Sequence, residues 1–191
     1  MTPSSDLVGI LSEEHATLRG LMSCLDVPSG GVGSTAHEDA RVVYLELSDR
    51  IIRHEIAEEL VVYPAMLENG QDVGFADFVL PEHAIIEDKL LVLDRQEFGS
   101  SAFERNRAEL TGELLAHLDH EEAQVFPILA SRLGRRRQVE VAHRYRQVIR
   151  VAPLHSARSR ANLPTGPTVV ARTSALAVWM RDVARSTGLA G

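Results

Sequence analysis

His54 and Glu58, in the stretch HEIAEELVVYP, occupy positions where a helical pattern calls for apolar side chains. The same pairing recurs at His83 and Glu87 and at His117 and Glu121. One helical turn takes 3.6 residues, so an imidazole and a carboxylate four apart stack on one face. A fourth histidine, His15, stands on an apolar stripe of its own. Four imidazoles and three carboxylates converging on one interior need partners, because burying a lone carboxylate is costly or changes its protonation. Neutral ring nitrogens combined with anionic oxygens are donors for a metal ion. No cysteine takes part, and the oxygens are too numerous for one tetrahedral structural zinc. Two cations bridged by carboxylates account for the whole set, and the donor types leave iron and manganese both open. A network of His–Glu hydrogen bonds without metal is the other arrangement these residues allow.

Four helices are needed to position such a set. The first, expected over 5–25, carries Val8, Leu11, His15, Leu18, Met22 and Leu25 at steps of three and four. The second, over 36–68, carries Ala40, Tyr44, Leu47, Ile51, His54, Glu58, Val61 and Ala65. The third, over 72–97, turns Ala76, Val79, His83, Ile86, Leu90 and Leu93 inward, and the fourth, over 101–133, does so with Phe103, Leu110, Leu114, His117, Glu121 and Ile128. These spacings put each set on one helical face. Turn-forming stretches at 26–35, 69–74 and 98–101 separate the helices, and no strand pattern intervenes. The fold class is therefore all-α, an up-down-up-down four-helix bundle. The middle of His54/Glu58 lies 14 residues before Gly70 and that of His83/Glu87 lies 15 after it, so an antiparallel pair brings them level within about 1.5 Å. Pro64, Pro81 and Pro127 each remove a backbone donor and are expected to end or kink their helices.

Charge divides the chain of 191 residues in two. Residues 1–131 hold 25 acidic and 8 basic side chains, and residues 132–191 hold 2 and 12. The expected organisation is a bundle over 1–133 and a basic extension over 134–191. That extension comprises a short helix at 135–150, a Pro- and Arg-containing linker at 151–170 and a terminal helix at 174–186 bearing Trp179. Overall acidity (net −7) opposes a polyanion, so nucleic acid is not an expected partner. The extension is expected to fold back on its own body or to join a second copy as a homodimer. No apolar run approaches the ~20 residues of a membrane helix. The start has neither a basic n-region nor a long apolar segment, and Cys24 alone cannot form an internal disulfide. Together these predict a cytoplasmic protein, with Cys24 a small core residue. Tyr63 is expected to pack, and Tyr44 to lie about 15 Å from His54 along the axis. Glu13, Glu14, Glu55, Glu59 and Glu82 are expected mostly on solvated faces, with Glu14 or Glu55 able to stand behind a ligand. His120 is expected to face away from the seam, and His37, His143 and His155 to be surface or tail histidines.

The motifs EEH at His15, HEIAEE and YP across 54–64, EHAIIE at 82–87 and HLDHEEAQVFP at 117–127 resemble those of hemerythrin-like, or HHE cation-binding, proteins, a family of four-helix di-iron bundles. The resemblance spans residues 5 to 131, and the long Arg-rich tail is similar to that of actinobacterial members. A ferritin-like bundle would pair Glu and His three apart, which fits less well. The resemblance implies two non-haem iron ions joined by an oxo bridge. His15, His54, His83 and His117 would be terminal ligands, with Glu87 where oxygen-carrying members have a fifth histidine. Glu58 and Glu121 would bridge. Glu122 competes with Glu121, because oxygen-carrying members place the bridge five residues after the histidine. A carboxylate at 87 favours ferric iron, which implies redox chemistry over reversible oxygen carriage. Five terminal ligands, two bridging carboxylates and one oxo bridge fill about eleven of about twelve octahedral positions, leaving one for dioxygen, peroxide or nitric oxide. The implied activity is peroxide decomposition of a catalase or peroxidase kind; the alternative is a non-catalytic iron or oxygen sensor, or an iron store.

Overall fold

The computed structural model describes residues 6–26, 34–67 and 76–152. Helix α1 (Leu7–Leu25) starts at Asp6, whose carboxylate accepts the Gly9 N–H at 2.9 Å. Such a cap satisfies one of the donors left over at a helix N-terminus. Ser34 caps α2 (Thr35–Ala57) in the same way, and Ser100 caps α5 (Ser101–His120). α2 runs through a π-helical turn (Glu58–Val62) into α3 (Tyr63–Leu67). α4 (Ala76–Leu93) is uninterrupted, and α5 runs through a second π-helical turn (Glu121–Val125) into α6 (Phe126–Arg132). A further helix, α7 (Arg135–Val151), follows.

Two apolar clusters fix the topology. One gathers Leu7 and Leu11, Val62, Val79, and Val125 and Leu129; the other gathers Leu18 and Met22, Ile51, Ile86 and Leu90, and Leu114. Early residues of α1 thus meet late ones of α2–α3, early ones of α4 and late ones of α5–α6. This is the up-down-up-down bundle expected, and burial of each such Leu, Ile or Val contributes roughly 1.5–3 kcal/mol. The expected stripes, that of α4 from Val79 onward, face inward, with Val8, Ala40 and Ile128 only partly buried. His15, His54, Glu58, His83, His117 and Glu121 form a polar layer, all at most 1% exposed.

Helix α7 folds back on the body. Val141, Ala142 and Tyr145 are buried in the first cluster, and the helix packs across α1, α2 and the first π turn. The remainder of the extension, with the expected terminal helix, Trp179 and His155, lies outside the described residues, as does the turn at 69–74.

Of the expectation that each proline ends or kinks its helix, the first half fails. Pro64 and Pro127 end nothing. Instead the Tyr63 N–H bonds the Glu58 carbonyl and the Phe126 N–H bonds that of Glu121, each five residues back. One extra residue in the turn shifts the hydrogen-bond register just where proline lacks its donor, and the rod continues. Pro81 sits inside α4 without a break. Two further corrections concern single residues. Cys24 is exposed rather than in the core. His37 is buried rather than on the surface, packed on Phe98 beneath Gly99. Gly99 has φ 76°, and a Cβ there would come within 2.7 Å of His37 Cε1, so this turn calls for glycine twice over. Among the described residues no helix is long and apolar enough to cross a membrane.

Candidate metal centre

The polar layer divides into two overlapping groups. One ligand atom from each of His15, His54, Glu58 and Glu121 lies within 4.8 Å of the others, and the same holds for Glu58, His83, His117 and Glu121. Glu58 and Glu121 are common to both. Within α2 the His54 Nε2–Glu58 Oε1 distance is 3.3 Å, and within α5 the His117 Nε2–Glu121 Oε2 distance is 3.6 Å. His15 Nε2 lies 3.4 Å from Glu121 Oε2, and His83 Nε2 lies 3.6 Å from Glu58 Oε2. The rings of His15 and His54 are 5.1 Å apart, and those of His83 and His117 are 4.8 Å apart.

Each imidazole is held from behind through Nδ1. His15 meets Glu122 at 2.9 Å, His83 meets Glu59 at 2.8 Å, His117 meets Glu82 at 2.9 Å and His54 meets the Tyr145 hydroxyl at 2.8 Å. An ionised carboxylate only accepts, so its partner Nδ1 carries a proton, and whenever that ring is neutral Nε2 presents a lone pair. Outer hydrogen bonds of this kind orient histidines for metal and raise their basicity. The other acid oxygen of Glu82 binds His120 at 2.7 Å, so His120, outside the seam as expected, stands behind His117.

An internal repeat explains much of this. Residues 54–64 and 117–127 share the spacing His-x3-Glu-Glu-x2-Val-aromatic-Pro. In each copy the first Glu opens the π turn and faces both groups, while the second reaches the single histidine of a neighbouring helix: Glu59 reaches His83 and Glu122 reaches His15. The aromatic follows the same rule, Tyr63 packing on His83 and Phe126 on His15. Only Tyr63 brings a hydroxyl. It donates to Glu121 Oε1 at 2.8 Å and lies 3.4 Å from Glu58 Oε2 and 3.2 Å from His83 Nε2.

Electrostatics favour a cation. Desolvation pushes Glu58 well above the ordinary carboxylate range, with Glu121 adding to it. Against the same desolvation, the imidazoles of His117, His15 and His54 hold Glu121 below that range. Two buried carboxylates side by side do not both ionise readily without a positive charge. Burial drives His54 well below its usual value, and His83 below it despite Glu59. His117 rises against its desolvation because Glu121 and Glu82 face it. Burial likewise lifts the Tyr63 and Tyr145 phenols. The Nε2 atoms of His15, His54 and His117 and Oε2 of Glu121 are buried without a hydrogen bond. Each such atom costs about 1–3 kcal/mol unless something pairs with it. Convergent neutral nitrogens and shared anionic oxygens are what cations would satisfy, so the residues present fit a metal pair.

Of the residues singled out from the sequence, six come together: His15, His54, Glu58, His83, His117 and Glu121. Glu122 is 41% exposed and serves His15 from outside, in contact with Arg19 at 3.2 Å. Glu87 is buried but stands outside both groups. The cause is direction. α2 and α5 run the same way, so the fourth residue after each histidine steps toward the common carboxylate level. α4 runs oppositely, and the same step from His83 leads toward Ile86 and Leu90 in the other cluster. Glu87, expected as a ligand, is thus not among the residues that the two groups bring together. Tyr63, expected to pack only, sits among the clustered His and Glu side chains. Glu55 and Glu59, expected on solvated faces, are each 1% exposed, and Glu82 bridges two histidines. Glu59, Glu82 and Tyr145 were not legible as supporting groups from stripe periodicity; the repeat is the signal that could have found Glu59.

An all-helical bundle whose interior gathers two overlapping His/Glu groups is a cation-binding fold. The Hemerythrin HHE cation binding domain matches residues 6–129, and the chain belongs to that family. It is 28% identical over 137 residues to an uncharacterized hemerythrin-like protein of Schizosaccharomyces pombe, covering 70% of this chain and 66% of that relative's length. A crystal structure of a hemerythrin HHE cation binding domain-containing protein from Mycobacterium kansasii superposes with a TM-score of 0.64 at 19% identity, covering 83% of this chain and 89% of that one.

Proposed function

We propose that this protein binds two iron ions between the groups His15/His54 and His83/His117, with Glu58 and Glu121 shared, and decomposes hydrogen peroxide there. The observation that carries this reading is that both carboxylates belong to both groups, as a bridged pair requires. Without Glu87, four imidazoles and two bridging carboxylates fill about eight of about twelve octahedral positions, leaving room for a small ligand. Iron supplies reversible one-electron redox chemistry, so one peroxide can be reduced to water while a second is oxidised to dioxygen, with no outside reductant. The chain's own residues do the rest. The two apolar clusters above and below the layer limit water. Glu59, Glu82, Glu122 and Tyr145 fix the imidazoles. Tyr63 holds its hydroxyl proton within the layer, donated to Glu121 Oε1 at 2.8 Å.

The test is elemental analysis of protein purified without added metal, followed by peroxide challenge. Near two irons per chain and rapid loss of peroxide with dioxygen release are expected. One zinc per chain, or no metal, refutes the reading. Tyr145, which ties His54 to α7 and so to the basic extension, favours a second reading as an iron or oxygen sensor. Stable iron loading without peroxide turnover, accompanied by a change in α7 protection from hydrogen exchange, would select it.

A further inference from the structure

The repeat that builds the layer makes its two halves equivalent in outline, and the groups standing behind the imidazoles depart from that equivalence. Behind the His83/His117 half stand two carboxylates, Glu59 at 1% exposure and Glu82 at 29%, and the Tyr63 hydroxyl lies 3.2 Å from His83 Nε2. Behind the His15/His54 half stand Glu122, exposed and contacted by Arg19, and the neutral phenol of Tyr145. The aromatic matching Tyr63 there is Phe126.

We infer that the two cation positions are unequal: the His83/His117 position binds more tightly and fills first, and Tyr145 is a positioning residue that prepares His54 for the second ion. The inference rests on the two-cation reading above. A carboxylate behind an imidazole increases its donor strength and keeps a proton on Nδ1, so that the neutral ring has one tautomer only. A phenol does neither. Tyr145 can accept from Nδ1–H, leaving Nε2 to the metal, or donate to bare Nδ1, in which case Nε2 carries the proton and faces Glu58 Oε1 at 3.3 Å. His54 must therefore be committed to one tautomer when the cation arrives, whereas Glu59 and Glu82 already hold a proton on Nδ1 of His83 and His117. Tyr145 comes from α7, beyond the residues 6–129 that match the family domain. One half of the centre is thus completed by a segment outside that domain.

The experiment is an anaerobic titration of the full, metal-stripped chain with ferrous iron against a competing chelator, for wild type, Tyr145→Phe and Glu59→Gln. Wild type should show two steps differing at least tenfold in affinity. Tyr145→Phe keeps the ring in place and should weaken only the later step, by about 10–100-fold, while Glu59→Gln should weaken only the earlier one by a similar factor. A merely structural role for Tyr145 would depress both steps together, and that result overturns the assignment, as does an unchanged later step. Should Tyr145→Phe fail to fold by circular dichroism, the wild-type separation and the Glu59→Gln arm decide alone. Two irons bound with equal affinity by wild type refute the inequality and leave the two-cation reading standing; no iron bound refutes both.

Discussion

Tyr63→Phe separates two views of a fully buried aromatic. If Tyr63 only packs, removing its hydroxyl and keeping its ring should change little. If its hydroxyl neutralises the carboxylate layer, the loss is specific. The hydroxyl donates to Glu121 Oε1 at 2.8 Å, and Glu121 is 0% exposed, so no water can replace it. Hydrogen bonds to charged groups contribute about 1.5–3 kcal/mol, and an acceptor left buried without its donor costs a similar amount. At about 2–4 °C per kcal/mol for a chain of this size, the metal-stripped variant should melt roughly 3–12 °C below wild type. Cations on Glu121 would take over its neutralisation, so the deficit should shrink once both proteins are loaded with iron. The assay is a pair of thermal melts by circular dichroism, with chelator and with iron. Equal melting temperatures in chelator refute the role given to the hydroxyl; a deficit that iron leaves untouched refutes its connection to the metal layer.

Other substitutions test other parts. Glu121→Ala removes an oxygen common to both groups and should abolish binding of both irons, whereas Glu122→Ala should keep two irons per chain; elemental analysis distinguishes them. Gly99→Ala should lower the melting temperature by about 2–8 °C, from about 1–2 kcal/mol of left-handed backbone strain together with the contact on His37, and leave iron content unchanged. Metal binding should release protons. Glu58 is raised above its ordinary 4.5 by desolvation, and His117 is held above 6.5 by Glu121 and Glu82 against its desolvation. Both must deprotonate to ligate. Iron affinity should therefore fall as pH drops through values above 6.5 for His117, and further as it drops through the raised Glu58 value. His54, held below 6.5 by burial, adds no penalty near neutrality. An indicator dye in weakly buffered solution at pH 7 should register proton release on iron addition, and none would contradict this assignment.

What periodicity made legible was the part of the site that shares its logic with the core. His15, His54, Glu58, His83, His117 and Glu121 lie on the same stripes as the leucines, so a pattern that finds the apolar face finds them too. Glu87 satisfied the four-residue spacing from a histidine without lying on the apolar stripe, and it lies outside the groups, because spacing on one helix carries no information about axial direction relative to its neighbours. Glu59 and Glu122 failed it for the opposite reason. A residue next to an inward one is turned about 100° from the seam, which on an isolated helix is the flank. In a bundle that flank adjoins the next helix, and there Glu59 reaches His83 and Glu122 reaches His15. Tyr145 is harder still, since its role depends on α7 lying across α1 and α2, a packing that no local signal in RRRQVEVAHRYRQVIR specifies. The residues that would contact metal are thus readable one helix at a time, while those that set the strength of each ligand arise only where helices meet. That division is why substitutions at Glu59 and Tyr145, rather than at the histidines, would show whether the two halves of this centre differ.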